Sequence, residues 1–167
     1  GHRDLVQSIH MVSGLLLPVP IVLGVLTSHG LRADIERLNR FAPNDWQWLR
    51  RPDRRHAGLP VGKFNAAQKL YSAVILGSIL VLFATGLMLH FFALFSDASR
   101  TGATFVHDVA AFGVGILVIA HIALAWSDPQ ARQGMRTGSV ELAWAEAEHP
   151  YWVAELTASC QSANTPC

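Results

Sequence analysis

The sequence predicts an all-α integral membrane protein built as a bundle of three transmembrane helices. The chain of 167 residues is 51% hydrophobic and only 15% charged, whereas about 25% of residues are charged in an ordinary soluble domain. Three long gaps, at residues 5–31, 70–96 and 109–127, contain no Asp, Glu, Lys or Arg. Each gap is close to or above the roughly 20 helical residues that cross a bilayer core.

The first span lies in residues 1–31, with its most apolar part at residues 9–26. Pro18 and Pro20 remove backbone hydrogen bonds, so we expect a kink that a membrane helix tolerates. A secretory signal peptide would explain only one of the three apolar segments. Because the chain opens at Gly1 rather than Met, we expect an N-terminal portion to be missing.

The alternation of polar and apolar stretches predicts the remaining segments of the chain. A long polar connection leads to the cleanest apolar span, and a short connection at residues 97–102 makes the second and third spans antiparallel neighbours. In the polar tail, LAWAEAEHPYWVAEL is expected to form an amphipathic helix broken at Pro150. The predicted segments are the first span (1–31), a cytoplasmic connection (32–69), the second span (70–96), the third span (101–127) and a cytoplasmic tail (128–167).

The distribution of cations predicts the orientation. Eleven Lys and Arg residues lie in the long connection and the tail, and two, Arg3 and Arg100, lie on the other side. The positive-inside rule therefore places the long connection and the C-terminus in the cytoplasm. A formal net charge of +1 excludes a strongly basic nucleic-acid binder. Cys160 and Cys167 are too few for a zinc cluster and are expected to be unpaired thiols on the reducing side.

Histidines at membrane depth are the strongest functional candidates, because ionisable groups are costly there. His107 and His121 lie fourteen residues apart on the third span, which corresponds to about 40° around a helix and a rise of about 21 Å. Both rings therefore face one side, near opposite membrane surfaces. This spacing suits two b haems stacked across the bilayer, each held by axial imidazoles from facing helices.

The direction of the spans predicts which histidines bind the same iron. The first and third spans run in the same direction, so His10 and His107 lie at matching depth near the outer surface and are predicted to share one iron. Gly14, one turn after His10, leaves room for a porphyrin face, and His90 is a second choice as ligand at similar depth. His29 matches His121 in neither depth nor face. Either His121 has a ligand on a helix outside this sequence, or there is no second haem.

The chain also resembles a known family. The resemblance covers about residues 5–155 and is carried by a helix with His10, then GKFNAAQKLY, HDVAAFGVGILVIAHIALAW and MRTGSVELAWAEAEHPYW. In this order the segments are similar to the cytochrome b (gamma) subunit of membrane-bound respiratory formate dehydrogenase, among the di-haem b cytochromes.

The resemblance implies four spans and two haems in the full subunit, so this chain would begin at the second span. It implies that His10 and His107 ligate the outer, periplasmic haem, and that His121 ligates the inner one with a histidine from the missing span. It also implies a quinone site at Asn65, Ala67 and Gln68, where the family usually has Gly at the Ala67 position. Judged from the residues alone, the two amides fit a helix-start hydrogen bond as well.

The expected function is a membrane-anchoring electron-transfer subunit in the bacterial inner membrane. Electrons would pass from a periplasmic iron–sulfur subunit, associated with the catalytic formate dehydrogenase subunit, through two haems to a membrane quinone near the cytoplasmic side. One alternative is the cytochrome b subunit of a hydrogenase or another molybdoenzyme. Another is a haem-free anchor or transporter subunit, whose histidines serve packing or proton relay.

Overall fold

The computed structural model describes residues 1–52 and 59–163. In these residues the chain forms helices joined by turns and loops, with no strand, and the predicted all-α class is confirmed. The helices are α1 (His2–Leu16), α2 (Pro18–Thr27), α3 (His29–Asn39), α4 (Pro43–Arg50), α5 (Ala66–His90), α6 (Asp97–Ser127), α7 (Pro129–Thr137), α8 (Leu142–Glu148) and α9 (Pro150–Ala163), with a 3-10 turn at Phe92–Leu94.

Three helical segments are long and apolar enough to cross a membrane: His2–Thr27, Ala66–His90 and Asp97–Ser127. They correspond to the three predicted spans. The first is interrupted at Leu17, between α1 and α2. The break falls next to Pro18, where the sequence predicts a kink, because proline has no N–H to continue the helix.

The third span begins earlier than predicted. Residues 97–102, expected to be a connection, form the first turns of α6. The Oγ of Ser96 accepts a hydrogen bond from the Ser99 N–H at 3.2 Å, so Ser96 caps the helix and satisfies one of its free donors. Only residues 91–96, which include the 3-10 turn, connect α5 to α6.

Most large apolar side chains on the three spans are exposed. Leu26 is 69% exposed, Ile119 70% and Phe112 73%. The buried hydrophobic residues of the described chain are alanines: Ala66, Ala103 and Ala145. An apolar surface of this extent requires lipid or partner helices around it.

The chain divides into two compact units. The first unit comprises Gly1–Glu36 and Val74–Leu117, and the second comprises Arg37–Ala73 and Val118–Cys167. Helices α5 and α6 contribute residues to both units. Of the predicted site residues, the first unit contains His10 and His107, and the second contains Asn65, Ala67, Gln68 and His121.

The tail forms helices with the predicted break near Pro150. The helix is interrupted at His149, between α8 and α9, and resumes at Pro150. Cys160 is disulfide-bonded, so the expectation of an unpaired thiol is wrong for this residue. Cys167 lies outside the described residues.

Candidate functional site

In the first unit, the imidazoles of His10 on α1 and His107 on α6 lie close together in an edge-on arrangement. Their ring centres lie 6.1 Å apart and their planes cross at 82°. His10 is exposed and His107 is half-buried. The structure therefore brings together two predicted ligands that are 97 positions apart in the sequence.

This spacing fits axial ligation of a metal. An imidazole nitrogen binds a transition metal at about 2 Å, so two rings on opposite sides of one ion have centres about 6 Å apart. Gly14 adds room beside His10, because a Cβ built on it would meet nothing within 4 Å. The residues present therefore fit a haem iron held between the two imidazoles.

Two consecutive residues of α5 lie beside the ring of His107, and the first of them bonds to it. The Nδ1 atom lies 2.9 Å from the hydroxyl of Thr85, and Thr85 is only 9% exposed. A Cβ on Gly86 would lie 3.5 Å from Cε1 of the ring, which is van der Waals distance. Sequence analysis missed Thr85; its only signal is a polar side chain in the middle of an apolar span.

His90, the competing ligand, has different surroundings. It is exposed at the end of α5, and its ring packs against that of Phe91 at 4.7 Å and 72°. No contact joins it to His10 or His107 in the part of the chain that the structure describes.

In the second unit, His121 is exposed and stacks on Tyr71 of α5. The ring centres are 4.9 Å apart and the planes are inclined by 13°. Stacking uses the face of the imidazole, so the ring nitrogens at its edge stay available for ligation. Tyr71 was also missed; its signal is its position three residues after Gln68, on the same face of a helix.

Asn65 and Gln68 form a reciprocal capping box at the start of α5. The Asn65 Oδ1 accepts from the Gln68 N–H, and the Gln68 Oε1 accepts from the Asn65 N–H, both at 2.9 Å. The structure therefore shows the alternative interpretation for the two side-chain oxygens: both accept hydrogen bonds that start the helix. Each amide uses its oxygen in the cap, so its NH₂ group remains a donor that can point to a ligand.

Ala67 lies between the two amides and is exposed, whereas its neighbour Ala66 is almost fully buried at 1% exposure. The buried side of this first turn packs inside the second unit. Ala67 and Gln68 lie on its open side.

The start of α5 is anchored by charge. The Lys69 Nζ lies 2.8 Å from the Asp45 Oδ2 and 2.9 Å from the Arg40 carbonyl oxygen. Both ends of the ion pair are largely buried, with side chains 13% and 11% exposed. Lys69 therefore fixes α4 to the turn that carries the amide pair.

The loop before α5 is anchored to the tail. His149 is 7% exposed, and its Nδ1 lies 2.8 Å from the Gly62 carbonyl oxygen. The Tyr151 N–H donates to the Val61 carbonyl oxygen at 3.1 Å. The break between α8 and α9 thus holds the loop that leads into Asn65.

Comparison with known proteins adds an independent observation. The chain is 29% identical over 104 residues to the cytochrome b556(Fdn) subunit of the nitrate-inducible formate dehydrogenase of Escherichia coli, which covers 60% of this chain and 48% of that protein. It is 27% identical over 158 residues to the formate dehydrogenase cytochrome b556 subunit of Haemophilus influenzae, which covers 93% of this chain and 66% of that protein. No protein-family model matches.

The chain matches about half to two thirds of the length of these curated relatives. The matches agree with the resemblance that the sequence motifs indicated, and that prediction is confirmed. This chain is similar, at modest identity, to the cytochrome b556 subunits of formate dehydrogenases.

Proposed function

We propose that the chain is a membrane cytochrome b subunit that transfers electrons for a formate dehydrogenase. Electrons would enter from an iron–sulfur subunit at the outer surface and leave to a quinone near the cytoplasmic side. The observation that carries the proposal is the close pair of imidazoles, His10 and His107, at 6.1 Å between two membrane-length helices. The relatives are subunits of formate dehydrogenases, which favours formate over hydrogen as the electron donor.

Residues of the first unit would hold the outer haem. His10 and His107 would bind its iron, and the open space beside Gly14 would leave room for the macrocycle. A haem iron changes between ferric and ferrous states and so carries one electron at a time. The apolar side chains of α1 and α6 would surround this position.

Residues of the second unit would serve the inner haem and the quinone. His121 is one ligand of the inner haem, and Tyr71 fixes the plane of its ring by stacking. The NH₂ groups of Asn65 and Gln68 donate to the quinone carbonyl oxygens, because their own oxygens are held by the capping box. Reduction of a quinone to a quinol consumes two electrons and two protons, and a site at the membrane surface can take those protons from water.

The orientation proposed is that of the inner membrane with the tail in the cytoplasm. Its support is the count of eleven cations in the connection and the tail against two elsewhere. Arg37 of the connection pairs with Glu155 of α9 at 2.7 Å. This contact supports the proposal that the connection and the tail share one side of the membrane.

Ligand variants test the haem assignment in the assembled complex. His10→Ala and His107→Ala should each remove one of two haems b, whereas His90→Ala, the matched control, should remove none. His121→Ala should remove the other haem. Haem content is measured from reduced-minus-oxidised spectra and haem extraction. Full haem content in both His107→Ala and His121→Ala would contradict the ligand assignment.

The quinone site can be separated from helix capping. Asn65→Asp and Gln68→Glu each keep the oxygen that the capping box needs and remove the NH₂ donor. Both variants should retain haem reduction by formate and lose most quinone reduction, with a raised KM for quinone. Normal quinone kinetics in both variants would refute the donor role.

A further inference from the structure

We propose that Thr85 is a positioning residue for the outer haem: its hydroxyl fixes His107 as the Nδ1–H tautomer and presents Nε2 to the iron. The proposal rests on the proposed function, in that His107 is an iron ligand. It goes further, because it names the group that selects the ligating nitrogen and tunes the iron.

The hydrogen bonds of Thr85 fix the direction of its proton. Its Oγ1 lies 2.7 Å from the Val81 carbonyl oxygen and 3.2 Å from that of Leu82. A carbonyl oxygen can only accept, so these contacts use the single hydroxyl proton. The Thr85 oxygen then offers a lone pair to His107 at 2.9 Å.

While the Thr85 proton is donated to the Val81 carbonyl oxygen, the contact with His107 is satisfied only if Nδ1 carries the hydrogen. A neutral imidazole has one protonated and one bare nitrogen, so Nε2 is bare and can bind a metal. With the other tautomer, two lone pairs would face each other at a position that is 9% exposed, where water is scarce. The electrostatic cost of that arrangement favours the Nδ1–H form.

The backbone next to Thr85 supports the same orientation. A Cβ built on Gly86 would lie 3.5 Å from Cε1 of the His107 ring, at ordinary van der Waals distance, so the backbone of α5 runs beside the ring. The Thr85 hydrogen bond fixes the rotation of the ring. Outer-shell partners of this kind orient a ligand and raise its basicity, and their loss typically costs 10–100-fold in metal affinity.

A basic ligand stabilises the ferric state more than the ferrous state. Removing the hydroxyl should therefore raise the midpoint potential of the outer haem. A tenfold loss of the ferric preference corresponds to about 59 mV for a one-electron couple. Thr85→Val keeps the shape of the side chain and removes the oxygen, and Thr85→Ser keeps the oxygen.

The experiment is an optical redox titration of the complex, in which the outer haem is the component that His107→Ala removes. We expect Thr85→Val to raise the potential of that component, with the inner haem unchanged, and Thr85→Ser to restore it. Thr104→Val is the matched control. The Thr104 hydroxyl also donates to a carbonyl oxygen of its own helix, that of Arg100 at 3.0 Å, but it does not contact an imidazole. Loss of the outer haem alone in Thr85→Val, with its return in Thr85→Ser, would also support the proposal.

Two outcomes would overturn the inference. One is an outer-haem potential in Thr85→Val equal to that of the unsubstituted protein. The other is an equal shift in Thr104→Val. Failure of the proposed function is distinguishable, because the unsubstituted protein would then bind no haem that depends on His107.

Discussion

The buried ion pair of Lys69 and Asp45 gives the sharpest test of how the start of α5 is held. In Lys69→Met the methylene chain is kept and the ammonium is lost. Asp45 then keeps one hydrogen bond, from the Ala42 N–H at 2.7 Å, and its carboxylate stays buried without a counter-charge. The Arg40 carbonyl oxygen loses its donor as well.

Removal of one partner from a buried ion pair costs about 3–5 kcal/mol. With side chains 13% and 11% exposed, the pair retains some contact with water, so we take the lower end. Since about 1.4 kcal/mol corresponds to a tenfold change in an equilibrium, about 3 kcal/mol corresponds to an opening equilibrium more than a hundredfold larger. Hydrogen–deuterium exchange of α4 and of the first turn of α5 measures it directly.

The control for this measurement is Arg136→Met, which removes an exposed cation from the same unit. Asp45→Asn combined with Lys69→Met should recover most of the loss, because the lone buried charge is gone and the amide oxygen still accepts from Ala42. Quinone reduction should fall in Lys69→Met while haem content is kept. Exchange as slow in Lys69→Met as in the unsubstituted protein would refute the reasoning.

The remaining predictions concern the two sites. The 82° angle between the His10 and His107 planes predicts a strongly anisotropic low-spin ferric EPR signal from the outer haem; a rhombic signal typical of parallel rings would contradict it. Gln68→Leu removes both the helix cap and the NH₂ donor. It should reduce quinone turnover more than Gln68→Glu does, and it should speed amide exchange in the first turn of α5. Equal exchange rates in the two variants would show that the cap contributes nothing to the stability of this turn. His149→Ala should cost about 0.5–1.5 kcal/mol by removing the hydrogen bond to the half-buried Gly62 carbonyl. The loss should be seen as faster exchange in the loop before α5, whereas unchanged exchange would mean that the contact is not formed in the membrane.

Hydropathy and helix direction were enough to predict much of this molecule. The gaps between charges located three spans, and matching depth paired His10 with His107, because both spans run the same way. The sequence did not predict that α6 starts at Asp97. The role of Ser96 as its helix cap is evident only from the hydrogen bond that its Oγ accepts from the Ser99 N–H. The break at Leu17 could be predicted, because Pro18 and Pro20 interrupt helical hydrogen bonding wherever they occur.

Contacts across helices could not be predicted from one sequence. A threonine in an apolar span is usually satisfied by its own helix, so nothing in the sequence linked Thr85 to His107. Tyr71 is similar, since its stacking on His121 depends on how α5 and α6 pack. The two amides illustrate a different limit, because Asn65 and Gln68 have both a helix-capping pattern and a quinone-site pattern, and the same atoms can serve both.

An experimental density map of the complex in its membrane will show whether His10 and His107 hold a haem. We expect density for a macrocycle between the two imidazoles, with one ring nitrogen of each bonded to its iron. A map in which those two imidazoles pack against each other, with no macrocycle between them, would contradict it.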